Sequence, residues 1–93
     1  MNLEIFREIG MTSGEARVYE TLLNLGFSST GQIINQSGIT SSKVYIILEK
    51  LEKKGLVSHV IKNNVKHFQI ADPKRLLDYM EEKNPKLIEK LKR

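Results

Sequence analysis

Apolar residues recur along this chain with helical spacing as far as Gly55, switch to alternation, and return to helical spacing after Asp72. Leu3, Phe6 and Ile9 fall on one side of a short helix predicted over residues 2–9, which Gly10 ends. Thr12 opens the second helix with a capping box. Its hydroxyl is set to accept from the third helical N–H, and Glu15, three residues on, reaches back. That helix is predicted to run to Leu25 and to bury Ala16, Tyr19, Leu22 and Leu23, with Val18 nearby and Gly26 as its stop. Ser29, with Gln32 in the same box-like relation, opens a short third helix over about 30–37, whose apolar positions are Ile33 and Ile34. Gly38 permits a tight turn into the next element.

That element, Gly38 to Gly55, is GITSSKVYIILEKLEKKG. Thr40 or Ser41 serves as N-cap, because a short hydroxyl side chain can accept from the first free backbone N–H groups. Gly55 falls where a left-handed C′ residue favours glycine. Lys53 and Lys54 sit in the last turn, where positive charge suits the helix dipole. Val44, Ile47, Leu48 and Leu51 form a stripe to be buried, and Ser42, Lys43, Ile46, Glu49, Lys50 and Lys53 occupy the other face. Tyr45 lies on the border, either core or core-edge with its hydroxyl outward. Two helices joined by a short glycine-containing turn make a helix-turn-helix, whose second helix reads DNA.

After Gly55 the alternation of Leu56–Lys62 and of Val65–Ile70 predicts two strands, with Phe68 and Ile70 on one face. Asn63-Asn64 between them suits a tight hairpin turn, since asparagine tolerates positive φ. A basic hairpin directly after a helix-turn-helix is a wing. Asp72 and Pro73 then stand as N-cap and first residue of a C-terminal helix. Its apolar positions are Leu76, Leu77, Met80, Leu87, Ile88 and Leu91, and positions 77, 80, 84, 87 and 91 step as a heptad seam. Pro85 interrupts the seam. It removes one backbone donor and disfavours helix at Asn84, so the helix either bends there or Asn84-Pro85 opens a new one.

The fold class expected is therefore α+β and mostly helical: a winged helix-turn-helix over residues 1–72, with a two-stranded wing, and an additional C-terminal helix over 73–93. Ninety-three residues suffice for one modest core. The chain has no cysteine, which removes disulfides and thiolate metal sites. No apolar run approaches the ~20 residues of a membrane span, and the acidic N-terminus does not resemble a signal peptide. The expectation is a cytoplasmic protein without cofactor. The +4 net charge is unevenly placed: residues 1–39 carry −2, residues 40–71 carry +4 and residues 72–93 carry +2. Clustered positive charge on a small domain is a nucleic-acid footprint, or otherwise a solvated lysine surface.

Catalytic patterns are absent: there is no phosphate-cradling glycine loop and no carboxylate pair beside a histidine. His59 and His67 lie on the two strands and are placed to face each other, but zinc usually takes three or four protein ligands, so no metal site is expected. The partner expected is double-stranded DNA. Ser41, Ser42 and Lys43 in the first turn suit phosphates or base edges, and Ile46 suits a thymine methyl. Ser29, Thr40, Tyr45, Lys50 and Lys53 complete the helix-turn-helix side of the candidate interface. Lys62, Asn63, Asn64 and Lys66 on the wing suit phosphate or minor-groove contact. Leu3, Phe6, Leu77, Met80, Leu87, Ile88 and Leu91 are the candidate homodimer contacts, because a further amphipathic helix wants an apolar partner. Two copies would place two reading helices about one DNA turn apart, on a pseudo-palindrome.

Glu15-Ala16-Arg17-Val18-Tyr19, Gly31-Gln32-Ile33, Ser37-Gly38 and the run Ser42-Lys43-Val44-Tyr45…Leu48…Leu51…Lys54-Gly55-Leu56-Val57 resemble the N-terminal DNA-binding domain of the TrmB family, mainly archaeal transcription regulators. The resemblance covers about residues 9–80. It implies a dimeric, sequence-specific DNA-binding regulator, with recognition positions at Ser41, Ser42, Lys43 and Ile46. Many members have proline and arginine where this chain has Thr40 and Ser41. Larger members add a C-terminal sugar-binding domain, which has no counterpart here, so the expectation is a stand-alone domain with no evident small-molecule effector. The resulting reading places a recognition helix of about 41–54 in the major groove and a wing of 57–70 on the backbone or minor groove. The alternative is a winged helix used as a protein-interaction module within a larger complex.

Overall fold

The computed structural model describes residues 3–86, with side chains from Phe6 onward. The elements are α1 (Leu3–Glu8), α2 (Ser13–Leu25), β1 (Ser28–Ser29), α3 (Thr30–Ser37), α4 (Ser41–Lys53), β2 (Val57–Lys62), β3 (Val65–Ile70) and α5 (Lys74–Lys83). Both predicted capping boxes form. The Thr12 hydroxyl accepts from Glu15 N–H at 3.1 Å, and Glu15 Oε1 accepts from Thr12 N–H at 3.3 Å. Ser29 and Gln32 repeat the exchange at the start of α3. Each box supplies acceptors to two backbone donors that the helix itself leaves unpaired.

Thr40, one of the two residues expected as N-cap, precedes α4, but its hydroxyl makes no capping bond, and Ser41 is already helical. Its far end closes as a Schellman turn: Leu56 N–H donates to Leu51 C=O at 3.0 Å, and Gly55 takes φ 76°. Gly38, at φ 70°, makes the left-handed step between α3 and α4.

β2 and β3 pair antiparallel, with Lys62 opposite Val65 closing a two-residue turn. Asn63 and Asn64 both take positive φ, 53° and 64°, as a twist-matched hairpin turn requires. The sheet has three strands rather than two. β1 pairs with β3 through Ser28 opposite Phe68 and Ser29 opposite His67, giving the order β1-β3-β2. Two serines carry no periodicity, and their partners lie some forty residues away, so local patterning does not announce this strand.

The core joins every layer. Phe6 and Ile9 of the N-terminal segment meet Ala16, Val18, Tyr19 and Leu22 of α2, Ile33 of α3, Val44, Leu48 and Leu51 of α4, and Leu56, Val57 and Phe68 of the sheet. Phe6 and Tyr19 pack ring to ring at 5.8 Å. Leu23, expected in the stripe, is instead exposed, and Val18 takes the buried position. Tyr45 likewise turns outward at 57% exposure, so it is not core.

α5 attaches through Met80, which is 4% exposed, with Leu76 and Tyr79 half-buried beside it. The start of α5 is shifted by one residue from expectation: the Asp72 carboxylate accepts from Lys74 N–H at 3.0 Å. The helix breaks at Asn84, whose φ −153° and ψ 83° leave the helical region. Pro85 permits this, since it disfavours helix at the residue before it.

Candidate nucleic-acid interface

α4 presents four sides, each turned toward something different. Val44, Leu48 and Leu51 are buried at 0–1% exposure. Fully burying one such side chain contributes about 1.5–3 kcal/mol, so the three hold the helix firmly against the domain. On one flank Ile47 reaches α2, where Gly14 has no side chain: a Cβ there would stand 3.0 Å from Ile47 Cδ1. On the other flank Glu52 reaches the sheet, with His59 Nδ1 lying 2.7 Å from Glu52 Oε1. Since a carboxylate only accepts, the imidazole donates from Nδ1. The remaining face, opposite the core, carries Ser42, Ile46, Glu49 and Lys53, with Lys43 and Lys50 toward α2 and Tyr45 toward the sheet.

All the polar candidates on this helix are exposed: Thr40, Ser41, Ser42, Lys43, Lys50 and Lys53. Ile46 stands among them at 54% exposure. Lys53 approaches Glu49 at 3.5 Å, one helical turn apart, a solvated pair worth at most a few tenths of a kcal/mol. Lys43 and Lys50 have no ion-pair partner among the described residues. At the hairpin tip Lys62, Asn63, Asn64 and Lys66 are exposed, together with Ile61 and Val65. Ser29 differs from the other candidates, because its hydroxyl is engaged with Gln32 in the α3 cap.

Two arrangements behind this face escaped local reading. Lys54, expected only to complement the helix dipole, pairs with the buried carboxylate of Glu15. Burial by itself pushes the Glu15 carboxyl up, but the Lys54 ammonium and the Thr12 backbone and hydroxyl donors outweigh it and hold the group below its ordinary range. Lys54 also lies 5.5 Å over the Tyr79 ring, so α2, α4 and α5 meet at one ammonium. The signal was thin: Glu15 belonged to a capping box, and nothing local marks its second oxygen for a residue 39 positions on.

The two histidines do not face each other. His59 is opposite Phe68 and His67 opposite Val60, so the register puts them on opposite faces of the hairpin. His59 packs against Phe68 and Glu52, whereas His67 stacks on Phe27 at 5.0 Å. No cluster of three or more metal-ligating side chains occurs among the described residues.

The candidate dimer residues also divide. Phe6 and Met80 are buried in this chain's own core and are not left over for a second copy. Leu77 is 54% exposed. Leu3 begins α1, with its side chain outside the described set, and Leu87, Ile88 and Leu91 lie outside the described residues. No helix among the described residues is long and apolar enough to cross a membrane.

Three helices packed around a buried stripe, a glycine turn before the last of them and a β-hairpin after it define a winged helix-turn-helix domain. The family described as "Sugar-specific transcriptional regulator TrmB" matches residues 6–74, and the chain belongs to that family. It is similar to the HTH-type sugar sensing transcriptional regulator TrmBL1 of Pyrococcus furiosus, with 30% identity over 98% of this chain. The chain spans about a quarter of that relative's length, 26%. Among solved structures, TrmBL2, described as an archaeal chromatin protein with a novel mode of DNA binding, superposes with a TM-score of 0.74 at 22% identity, covering 97% of this chain and 35% of that one. A possible transcriptional regulator from Methanosarcina mazei Go1 gives a TM-score of 0.76 at 14% identity, over 95% of this chain and 80% of the other. At these identities the two structures establish the fold.

Proposed function

We propose that this chain binds double-stranded DNA sequence-specifically as a transcriptional regulator, with α4 in the major groove and the β2–β3 hairpin on the backbone or minor groove. One observation carries the reading. α4 commits Val44, Leu48 and Leu51 to the core, with Ile47 half-buried beside them, and turns outward a largely polar face whose lysines have little intramolecular employment. The family supports it, because its members are described as transcriptional regulators. Sugar sensing, named for the Pyrococcus protein, is not part of this reading.

The roles follow from position. Ser42 and Ile46 lie at the centre of the outward face, so they meet base edges: a hydroxyl for a donor or acceptor, and an apolar contact for a thymine methyl. Thr40, Ser41 and Lys53, at its two ends, meet phosphates. Lys62, Asn63, Asn64 and Lys66 add affinity that depends little on sequence. Leu77, exposed at the border between the covered and charged sides of α5, joins two copies so that two α4 helices read a pseudo-palindrome about one DNA turn apart.

Selection of bound sequences from a random duplex pool, followed by fluorescence anisotropy on the selected site, tests this reading. Affinity should fall tenfold or more between about 50 and 200 mM salt, as several phosphate contacts require. A pool that yields no enriched sequence, with no salt-dependent binding at micromolar protein, would leave the protein-interaction reading in its place.

A further inference from the structure

The flank of α4 that faces α2 opens as a cleft of about 460 Å³, bordered by Ser13, Gly14 and Arg17 on one side and by Thr40, Lys43 and Ile47 on the other. Gly14 sets its geometry. The missing side chain lets α2 approach Ile47 to a distance that an added Cβ would make tight. Arg17 lies one turn along α2 from Gly14, and Lys43 one turn along α4 from Ile47, so this contact brings both cations to one opening. Both side chains are exposed, and neither has an ion-pair partner among the described residues.

No carboxylate lines the cleft. The nearest acidic side chain in sequence on α2, Glu15, is buried and committed to Lys54 and the Thr12 cap. The first turns of α2 and α4 both border the opening, adding the positive ends of two helix dipoles to two cations. Thr40, whose hydroxyl makes no capping bond, offers a further donor.

We infer that this cleft seats one backbone phosphate of the DNA on the α2 side of the major groove, held by Arg17 with Lys43 beside it. The inference rests on the DNA-binding reading and extends it. Arg17 becomes a positioning residue outside the helix-turn-helix, and Lys43 contacts backbone rather than a base. The charge complementarity is specific to an anion in a slot between two elements, and a guanidinium is suited to phosphate by its fork of donors.

The test uses the full chain and its selected duplex. Arg17→Ala should weaken binding roughly three- to tenfold on the selected and on unrelated sequences alike, and should reduce the salt slope by about one. Arg17→Lys should keep the slope. Replacing duplex phosphates one at a time by uncharged methylphosphonate should reveal a position that weakens the wild type much more than Arg17→Ala, and Lys43→Ala should be less sensitive than the wild type at that same position. Arg17 stands clear of the core, so its variants should melt with the parent. Salt-dependent wild-type binding together with an unchanged slope for Arg17→Ala overturns this inference alone. So does a Lys43→Ala loss confined to the selected sequence. Absence of salt-dependent binding in the wild type overturns the DNA reading itself.

Discussion

α4 and α5 have similar patterns and different situations. Each carries leucines on one side and charges on the other. In α4 the leucines vanish into the core, so the stripe is explained by the domain and the outward polar face is free for a partner. In α5 only Met80 is buried, Leu76 and Tyr79 are half-covered, and Leu77 remains outside. The same amphipathic signature therefore records a satisfied face in one helix and an unsatisfied one in the other. An apolar stripe tells which side of a helix seeks cover but not whether its own chain supplies that cover.

The largest effect should separate the two helices directly. Leu48→Ala should cost about 2–5 kcal/mol of unfolding free energy in urea, because it opens a cavity in the shared core. Leu77→Ala should cost less than about 0.5 kcal/mol. Similar losses at both positions would erase the distinction.

Next in size is the ion pair behind α4. Glu15→Gln should cost about 1–3 kcal/mol near neutral pH, since it replaces the charged partner of the Lys54 ammonium by a neutral amide. The pH dependence has a definite sign. The folded-state pKa of Glu15 is depressed, so its contribution is fully present above the ordinary carboxylate value, 4.5, and is lost as pH falls through the lower folded value. Thermal melts between pH 7 and pH 2 should therefore show a steeper acid decline for the wild type than for Glu15→Gln. Parallel curves would show that the pair carries no such linkage.

The outward face of α4 should respond in binding and not in folding. Ile46→Ala should leave the melting temperature within a degree or two while relaxing preference at one base position by about 1 kcal/mol. A uniform loss on all duplexes would place Ile46 outside the readout. The smallest effect on the fold, and the clearest on assembly, belongs to α5. Leu77→Asp should fold as the parent does but sediment at the monomer mass, with the parent at twice that mass. Unchanged sedimentation would move the joining surface elsewhere.

Much of the fold was legible because its determinants are local. Capping boxes at Thr12 and Ser29, glycines at 38 and 55 and the Asn63-Asn64 turn each act within a few residues. The switch of period after Gly55 located the hairpin for the same reason. The candidate site was legible as an outward helix face, and less so in what each of its residues adjoins. Lys43 and Lys53 look alike in the sequence, yet one borders a cleft against α2 and the other lies on the open face beside Glu49. Tyr45, on the border of two faces, was assignable either way until the sheet's position was known.

The sequence by itself determined where α2, α3 and α4 start and stop, which side of α4 is apolar, and that a basic hairpin follows it. These are consequences of short-range hydrogen bonding and of the periods 3.6 and 2. Only the tertiary structure decided what required distant residues to meet. It paired β1 with β3, joined Glu15 to Lys54, and sent the two histidines to opposite faces of the hairpin. It also took Phe6 and Met80 into the core and left Leu77 outside. Those outcomes depend on how helices and sheet close around one another, and that geometry sets which of several similar side chains is covered, paired or free to bind.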